Sequence, residues 1–123
     1  MIVYYAHAMC LYGEPDEVLH VRTIRRKFRR CRIVNPVDYD GDPLKSADTV
    51  GFCLRLVEQC DVVVFARLFG KVTAGVGKEV NHAMKVGKPV FELANGKLIR
   101  RAQRVEYISR RDTRGLYRRF RAS

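Results

Sequence analysis

The sequence lacks the features of several common protein classes. Residues 1–13 carry no acidic or strongly basic side chain. This stretch is too short to cross a bilayer and no basic region precedes it, so we expect neither a signal peptide nor a membrane helix. The four cysteines form no CxxC pair and lie in or beside apolar stretches. They favour reduced core thiols in a cytoplasmic protein over a zinc site or any other metal centre.

Acidic residues are scarce. The chain has 13 of them against 24 lysines and arginines, which gives a net charge of +11. Such a charge attracts nucleic acid, nucleotides or anionic surfaces over long range. Arginines are dense between positions 22 and 30 and again between 100 and 121. A solvated basic face and a nucleic-acid surface both stay open as explanations, and no standard nucleic-acid-binding motif is present.

The remaining composition is typical of one globular domain covering residues 1–123, with 47% hydrophobic and 30% charged residues. Strand-like and helix-like segments alternate, and no internal repeat or linker is visible. The predicted strands are 2–6, 32–34, 61–66, 88–93 and 104–108. This alternation predicts an α/β fold with three layers: a flavodoxin- or Rossmann-like, five-stranded parallel sheet with helices on both faces.

Helices are predicted between these strands, with apolar residues at helical spacing turned inward. Residues 37–47, rich in Asp, Gly and Pro, predict a surface loop, and their acids lack the spacing of a calcium site. Ser46 or Asp48 can cap the following helix, and Asp112 or Thr113 the last one. The residues expected to face inward are Val18, Val21, Ile24, Phe28, Val50, Leu54, Val57, Leu116, Tyr117 and Phe120.

The segment Gly75-Val76-Gly77-Lys78-Glu79 follows the strand at 61–66 and precedes a helix predicted from Val80. Its glycines let the backbone approach a ligand, and the first amides of a helix point at any anion bound there. Glu79 is expected in or near the first helical turn, where the helix dipole favours the ionised carboxylate. An ionised carboxylate beside an anion site suits a nucleophile. A simple capping carboxylate is the alternative.

Several short motifs occur in a characteristic order. They are Val3-Tyr4-Tyr5-Ala6, Cys60-Asp61-Val62-Val63-Val64, Thr73-Ala74-Gly75-Val76-Gly77-Lys78-Glu79, Ala83 and Gly87-Lys88-Pro89-Val90. Together they resemble the nucleoside 2-deoxyribosyltransferase superfamily, and most of all the branch that hydrolyses the glycosidic bond of deoxynucleoside 5'-monophosphates. The resemblance covers roughly the first three quarters of the chain, and the basic tail lies outside it.

The resemblance implies roles for particular residues. Glu79 corresponds to the nucleophile that attacks the anomeric carbon and displaces the base, after which water or a second base completes the reaction. Tyr4 corresponds to the tyrosine that positions the glutamate and the sugar. Thr73 and the segment Gly75, Val76 and Gly77 correspond to the phosphate-binding site. The family chemistry needs no metal or redox cofactor, and such proteins assemble as homo-oligomers.

The sequence departs from the family pattern at two places. Cys53 stands where the family has an aspartate that contacts the sugar or protonates the leaving base. Asp48 lies more than one helical turn earlier and substitutes only if the helix entrance is reshaped. His7 stands where family members have Gly-Ser, so it is either the acid that protonates a purine or a packing residue beside Tyr4.

Three functions are therefore open. The first is an N-glycosidase or deoxyribosyltransferase acting on nucleosides or nucleotides, and it is the one we expect. The second is a non-catalytic nucleotide-binding or sensor domain with the same fold. The third is a basic nucleic-acid-associated protein. Membrane partners are not expected.

Overall fold

The computed structural model describes residues 1–123, and strands and helices alternate along most of the chain. The strands are β1 Ile2–Ala6, β2 Arg32–Val34, β3 Val62–Ala66, β4 Val90–Ala94 and β5 Lys97–Arg101. The α-helices are α1 Pro15–Lys27, α2 Pro43–Ala47, α3 Thr49–Gln59, α4 Ala74–Lys85 and α5 Arg110–Ala122. Short 3-10 helices span Met9–Leu11 and Pro36–Tyr39. The predicted α/β class is confirmed.

The five strands form one sheet in the order β2-β1-β3-β4-β5. The first four strands are parallel, whereas β5 runs antiparallel to β4. The prediction of an entirely parallel sheet is therefore wrong. Asn95 and Gly96 have φ angles of 53° and 73° and make a two-residue turn, the geometry that joins antiparallel neighbours in a hairpin. A parallel crossover would need a dozen or more residues.

The fifth strand also lies earlier than predicted. It occupies Lys97–Arg101, while residues 104–108 follow it without joining the sheet. The backbone of Val105 is held instead by the side chain of Asn81 on α4. The Asn81 amide donates to the Val105 carbonyl at 3.0 Å and accepts from its N–H at 2.9 Å. One asparagine thus supplies both bonds that a neighbouring strand would have made.

Helices cover both faces of the sheet, as predicted. On one face Tyr4, Val63 and Phe65 pack with residues of α3 and α4, such as Val57 and Val80. On the other face, β1 and β3 pack against Ile24 of α1. All five residues of β3 are buried. Burial on both sides explains why this strand reads as an unbroken apolar run.

Two inward-facing predictions are wrong: Val18 of α1 and Val50 of α3 have 53% and 46% of their surface exposed. Both lie in the first turns of their helices. Ile24 and Val57, deeper in the same helices, are completely buried. The predicted inward positions are therefore confirmed in the later turns of the two helices and wrong in their first turns.

The region 37–47, predicted as a loop, contains the end of a 3-10 helix and the short helix α2. Asp42 caps α2 by accepting a hydrogen bond from the Leu44 amide at 2.8 Å, and Pro43 occupies the first helical position. Asp48 caps α3 through the Gly51 amide at 3.1 Å, as predicted. A capping aspartate followed by proline is a common helix start.

Helix α5 begins at Arg110, and Ser109 caps it, not the predicted Asp112 or Thr113. Its apolar side, formed by Leu116, Tyr117 and Phe120, packs on a small buried cluster around Leu11. No helix of the chain combines the length and the apolar character that crossing a membrane would require.

Candidate functional site

A pocket opens where β1 and β3 end, at the carboxyl edge of the parallel strands. Open α/β sheets place their ligands at this edge. Five predicted site residues line the pocket: His7, Thr73, Gly75, Val76 and Glu79. The lining also includes residues that the sequence analysis did not assign to the site, namely Met9, Tyr12, Pro36, Lys45, Thr49, Val50 and Tyr117, and it includes Cys53. Three residues predicted for the site, Tyr4, Asp48 and Gly77, are not part of the lining.

Glu79 and Tyr4 form the centre of the site. Tyr4 lies on β1 and is completely buried, and its phenol donates a hydrogen bond to Oε2 of Glu79. Burial, together with the nearby carboxylate of Glu79, raises the pKa of Tyr4 well above its usual value. Tyr4 therefore keeps its proton and acts as a fixed donor. Oε1 of Glu79 accepts no hydrogen bond from the protein.

Glu79 is not the freely ionised carboxylate that the sequence suggested. Helix α4 begins at Ala74 instead of the predicted Val80, so Glu79 lies in the second turn and gains little from the helix dipole. Burial raises the pKa of Glu79 to about 7, while the hydrogen bond from Tyr4 and the charge of Lys45 act in the opposite direction. Near neutral pH the carboxyl is therefore present in both its protonated and its ionised forms.

Lys45 is a buried cation that sequence reasoning missed. It lies on α2, and its Nζ donates to the carbonyl of Pro36 at 2.7 Å and to the carboxylate of Asp40 at 2.5 Å. These bonds tie α2 to the preceding 3-10 helix beside the pocket. The Asp42-Pro43 capping signal was the only clue to the helix that turns this lysine inward.

Cys53 occupies the place where the resemblance implies an aspartate. It is buried on α3, and the pocket lies against it. Burial and the charge of Glu79 raise the pKa of the Cys53 thiol. Cys53 therefore places a neutral group next to Tyr4 and Glu79, whereas an aspartate at this position would repel the carboxylate of Glu79.

Asp48 is exposed at the start of α3, where its carboxylate is engaged with the Gly51 amide. The structure does not bring Asp48 to Glu79.

His7 lies at the pocket with both ring nitrogens engaged. Nδ1 donates to the Tyr5 carbonyl at 3.1 Å, and Nε2 pairs with the Glu17 carboxylate at 2.6 Å. The ring stacks on Tyr5 with 3.7 Å between centroids. Burial lowers the pKa of His7 against the opposing effect of Glu17. In this arrangement His7 has no nitrogen directed at a ligand. Glu17 is another residue that the sequence did not indicate.

The start of α4 offers two backbone amides to the pocket. The Ala74 amide donates to Thr113 Oγ1 at 3.0 Å, and the Gly77 amide donates to the Thr73 carbonyl at 2.8 Å. The amides of Gly75 and Val76 lack a partner in the protein, as expected for the first turn of a helix. Both residues line the pocket. They form a site suited to an anion.

The two glycines of the motif have different tasks. A Cβ at Gly77 would lie 2.3 Å from the Tyr107 ring, so this glycine allows α4 to pack against residues 104–108. A Cβ at Gly75 would meet no atom within 4 Å. Gly75 therefore lines the open pocket, while Gly77 allows close packing.

The chain contains no group of three or more His, Cys, Asp or Glu side chains arranged to hold a metal ion. Neither the models of known protein families nor the curated proteins include a match to the chain.

Proposed function

We propose that this protein cleaves or transfers the N-glycosidic bond of deoxynucleosides or their 5'-monophosphates, as a nucleoside 2-deoxyribosyltransferase-like enzyme. The observation that carries the proposal is the Glu79–Tyr4 pair: Glu79 lines a pocket at the carboxyl edge of the sheet, and the buried Tyr4 holds its carboxylate from behind. The strand order β2-β1-β3-β4-β5 is also that of flavodoxin-like folds, and we assign the chain to that group with one antiparallel edge strand.

The chemistry follows from the orientation of the carboxylate. Tyr4 holds Oε2 of Glu79, which leaves Oε1 to attack the anomeric carbon of the sugar. The C–N bond breaks with its electron pair going to the base, and a glycosyl ester forms on Glu79. Water then hydrolyses the ester, or a second base displaces Glu79 in a transfer reaction. Glu79 must be ionised for the first step, so the pKa of about 7 sets the pH range of the enzyme.

The phosphate of a 5'-monophosphate fits the start of α4. The free amides of Gly75 and Val76 supply donors, and the positive end of the helix dipole favours the negative charge. Thr73, the residue before the helix, is buried at the same pocket. We assign Gly77 to packing and not to the phosphate. Its amide donates to the Thr73 carbonyl, and its Cα lies against the ring of Tyr107.

Protonation of the leaving base has no dedicated carboxylic acid in this pocket. Asp48 lies elsewhere, and Cys53 is a thiol of raised pKa. His7 serves as the acid only if Nε2 leaves Glu17 when substrate binds. We therefore expect the best substrates to be those whose base leaves without strong acid assistance.

The main alternative is a non-catalytic nucleotide-binding or sensor domain. Cys53 favours this alternative, because the site keeps the free amides at the start of α4 but lacks the aspartate that the resemblance implies at position 53. The decisive experiment is release of free base from the four deoxynucleoside 5'-monophosphates and their nucleosides. Release that disappears in Glu79→Gln and persists in Glu106→Gln, a surface control, supports the enzyme. No release, with nucleotides raising the melting temperature, supports the binding domain.

The pocket mouth supports a homo-oligomer. Met9 and Val50 line the pocket with 58% and 46% of their surfaces exposed, and Leu44, next to Lys45, is 69% exposed. A second copy of the chain would cover these apolar side chains. Light scattering tests this, because Leu44→Glu should shift the mass to that of a monomer.

We also propose a cytoplasmic location, which the four free thiols support.

A further inference from the structure

Helix α5 carries a continuous row of arginines on its exposed side. The helix contains six arginines and no lysine. Arg110, Arg114, Arg118 and Arg121 follow one another at intervals of four, four and three residues, so their side chains share one face. All four are exposed. We call these four residues the arginine row, and Arg111 extends it at the start of the helix.

No acidic side chain neutralises the arginine row. The ion pairs of the chain involve other residues, chiefly Arg67 and Arg101 with Glu92. The only acidic residue of α5 is Asp112. The residues three and four positions after it are Gly115 and Leu116, so it faces no arginine one turn further along the helix. Like charges one turn apart disfavour a helix, and so do the cations in its first turn. The row therefore opposes helix formation in the free protein, and an anionic partner would remove that opposition.

The side of α5 next to the arginine row is fixed to the domain. Leu116, Tyr117 and Phe120 pack on the cluster around Leu11, and Thr113 accepts a hydrogen bond from the start of α4. The helix therefore has no apolar face left to insert into a bilayer. The chemistry of the exposed face suits phosphate, because guanidinium groups bind phosphate oxygens in a bidentate manner that lysine does not offer.

From this arrangement we propose that the arginine row binds the sugar-phosphate backbone of a nucleic-acid strand. The row also adjoins the candidate active site. Tyr117 lies three residues after Arg114 and four before Arg121, and its ring lines the pocket that contains Glu79. A strand bound along the row would pass the edge of this pocket. The binding claim rests on α5 alone and does not require the proposed enzymatic activity.

The test is binding of a fluorescently labelled single-stranded oligodeoxynucleotide, followed by anisotropy at several salt concentrations. The variant is Arg110→Gln/Arg114→Gln/Arg118→Gln. The matched control, Arg22→Gln/Arg26→Gln/Arg29→Gln, removes the same charge from exposed positions of α1 and of the turn that follows it, on the other face of the sheet. Melting temperatures of both variants verify folding, and the row variant should melt no lower than the parent because repulsion is relieved.

We expect the row variant to lose affinity by about tenfold or more and the control by about twofold. The slope of log affinity against log salt should fall by about 2 in the row variant, since each phosphate contact contributes about 0.7 for single strands. Equal losses in the two variants would overturn the proposal and leave attraction by net charge alone. Binding to phosphatidylserine vesicles that depends on the row, without binding to the oligonucleotide, would overturn it as well.

Discussion

The phenol of Tyr4 donates a hydrogen bond to the carboxylate of Glu79, although the two residues are 75 positions apart. Because this bond favours the ionised carboxylate, it counteracts the effect of burial on the pKa of Glu79. The balance between the two effects controls which fraction of Glu79 is ionised at neutral pH, and the first predictions test that balance.

Tyr4→Phe should raise the pKa of Glu79 above about 7, because the donor that stabilises the ionised form is lost. The acid limb of the pH profile for base release should therefore move to higher pH, and turnover near neutral pH should fall about tenfold or more. Tyr5→Phe is the matched control, since Tyr5 bonds His20 on the other face of the sheet. An unmoved acid limb in Tyr4→Phe would show that Tyr4 does not tune Glu79.

Glu79 should make the stability of the protein depend on pH. Its pKa rises from 4.5 to about 7 on folding, so the folded state binds the proton more tightly. The resulting stability is fully present below about pH 4.5 and is lost as pH rises through about 7. Glu79→Gln removes this dependence. The free energy of unfolding of Glu79→Gln minus that of the parent should therefore be about 2 kcal/mol larger at high pH than at low pH.

Urea unfolding of both proteins at about pH 5 and pH 8.5 measures this difference. Glu106→Gln, at an exposed position, serves as the control and should show no pH-dependent gain. A Glu79→Gln variant that is equally displaced from the parent at both pH values would mean that the carboxyl titrates normally in the folded protein.

Lys45→Met should destabilise the region around the pocket. The substitution leaves the Pro36 carbonyl and the Asp40 carboxylate without their donor, and we expect a loss of about 1–2 kcal/mol because Asp40 is largely exposed. The pKa of Glu79 should also rise, since the charge of Lys45 lowers it. Chemical denaturation and the pH profile of base release measure the two effects. Lys85→Met, on the surface of α4, should change neither.

Gly77→Ala and Gly75→Ala should have opposite effects on stability. An added methyl group at Gly77 collides with Tyr107, which should destabilise the fold by about 1–3 kcal/mol. At Gly75 the methyl group meets nothing, and the better helix propensity of alanine should raise stability by up to about 1 kcal/mol. Denaturant midpoints of the two variants, compared with the parent, measure these changes in stability. Equal destabilisation by both would contradict the assignment of Gly77 to packing.

The central strands could be predicted from the sequence because local patterns determine them, and the family resemblance indicated Tyr4 and Glu79 as site residues. The run Val62–Ala66 is buried on both sides and therefore uniformly apolar, and Glu79 follows a recognisable motif. The start of α4 could not be predicted in this way. Its glycines are poor helix formers, but the Thr113 hydroxyl and the packing of Tyr107 stabilise the helix from distant parts of the chain.

The edge strand and Lys45 were missed for similar reasons. The strand Lys97–Arg101 consists mostly of charged residues, because a strand at the edge of the sheet needs few apolar contacts. Its Arg101 pairs with Glu92 of β4. Lys45 resembles any surface lysine in sequence. Its burial depends on the Pro36 carbonyl and the Asp40 carboxylate, which the fold of residues 36–47 brings together.

The most direct test of the account is a search for the covalent intermediate on Glu79. The protein is incubated with a 2'-fluorinated deoxynucleoside 5'-monophosphate, whose fluorine slows breakdown of a glycosyl ester, and is then quenched and analysed by peptide mass spectrometry. We predict a sugar phosphate adduct on the peptide that contains Glu79, and none in Glu79→Gln. Base release from the natural substrates without any adduct on Glu79, or with an adduct on another residue, would contradict the account.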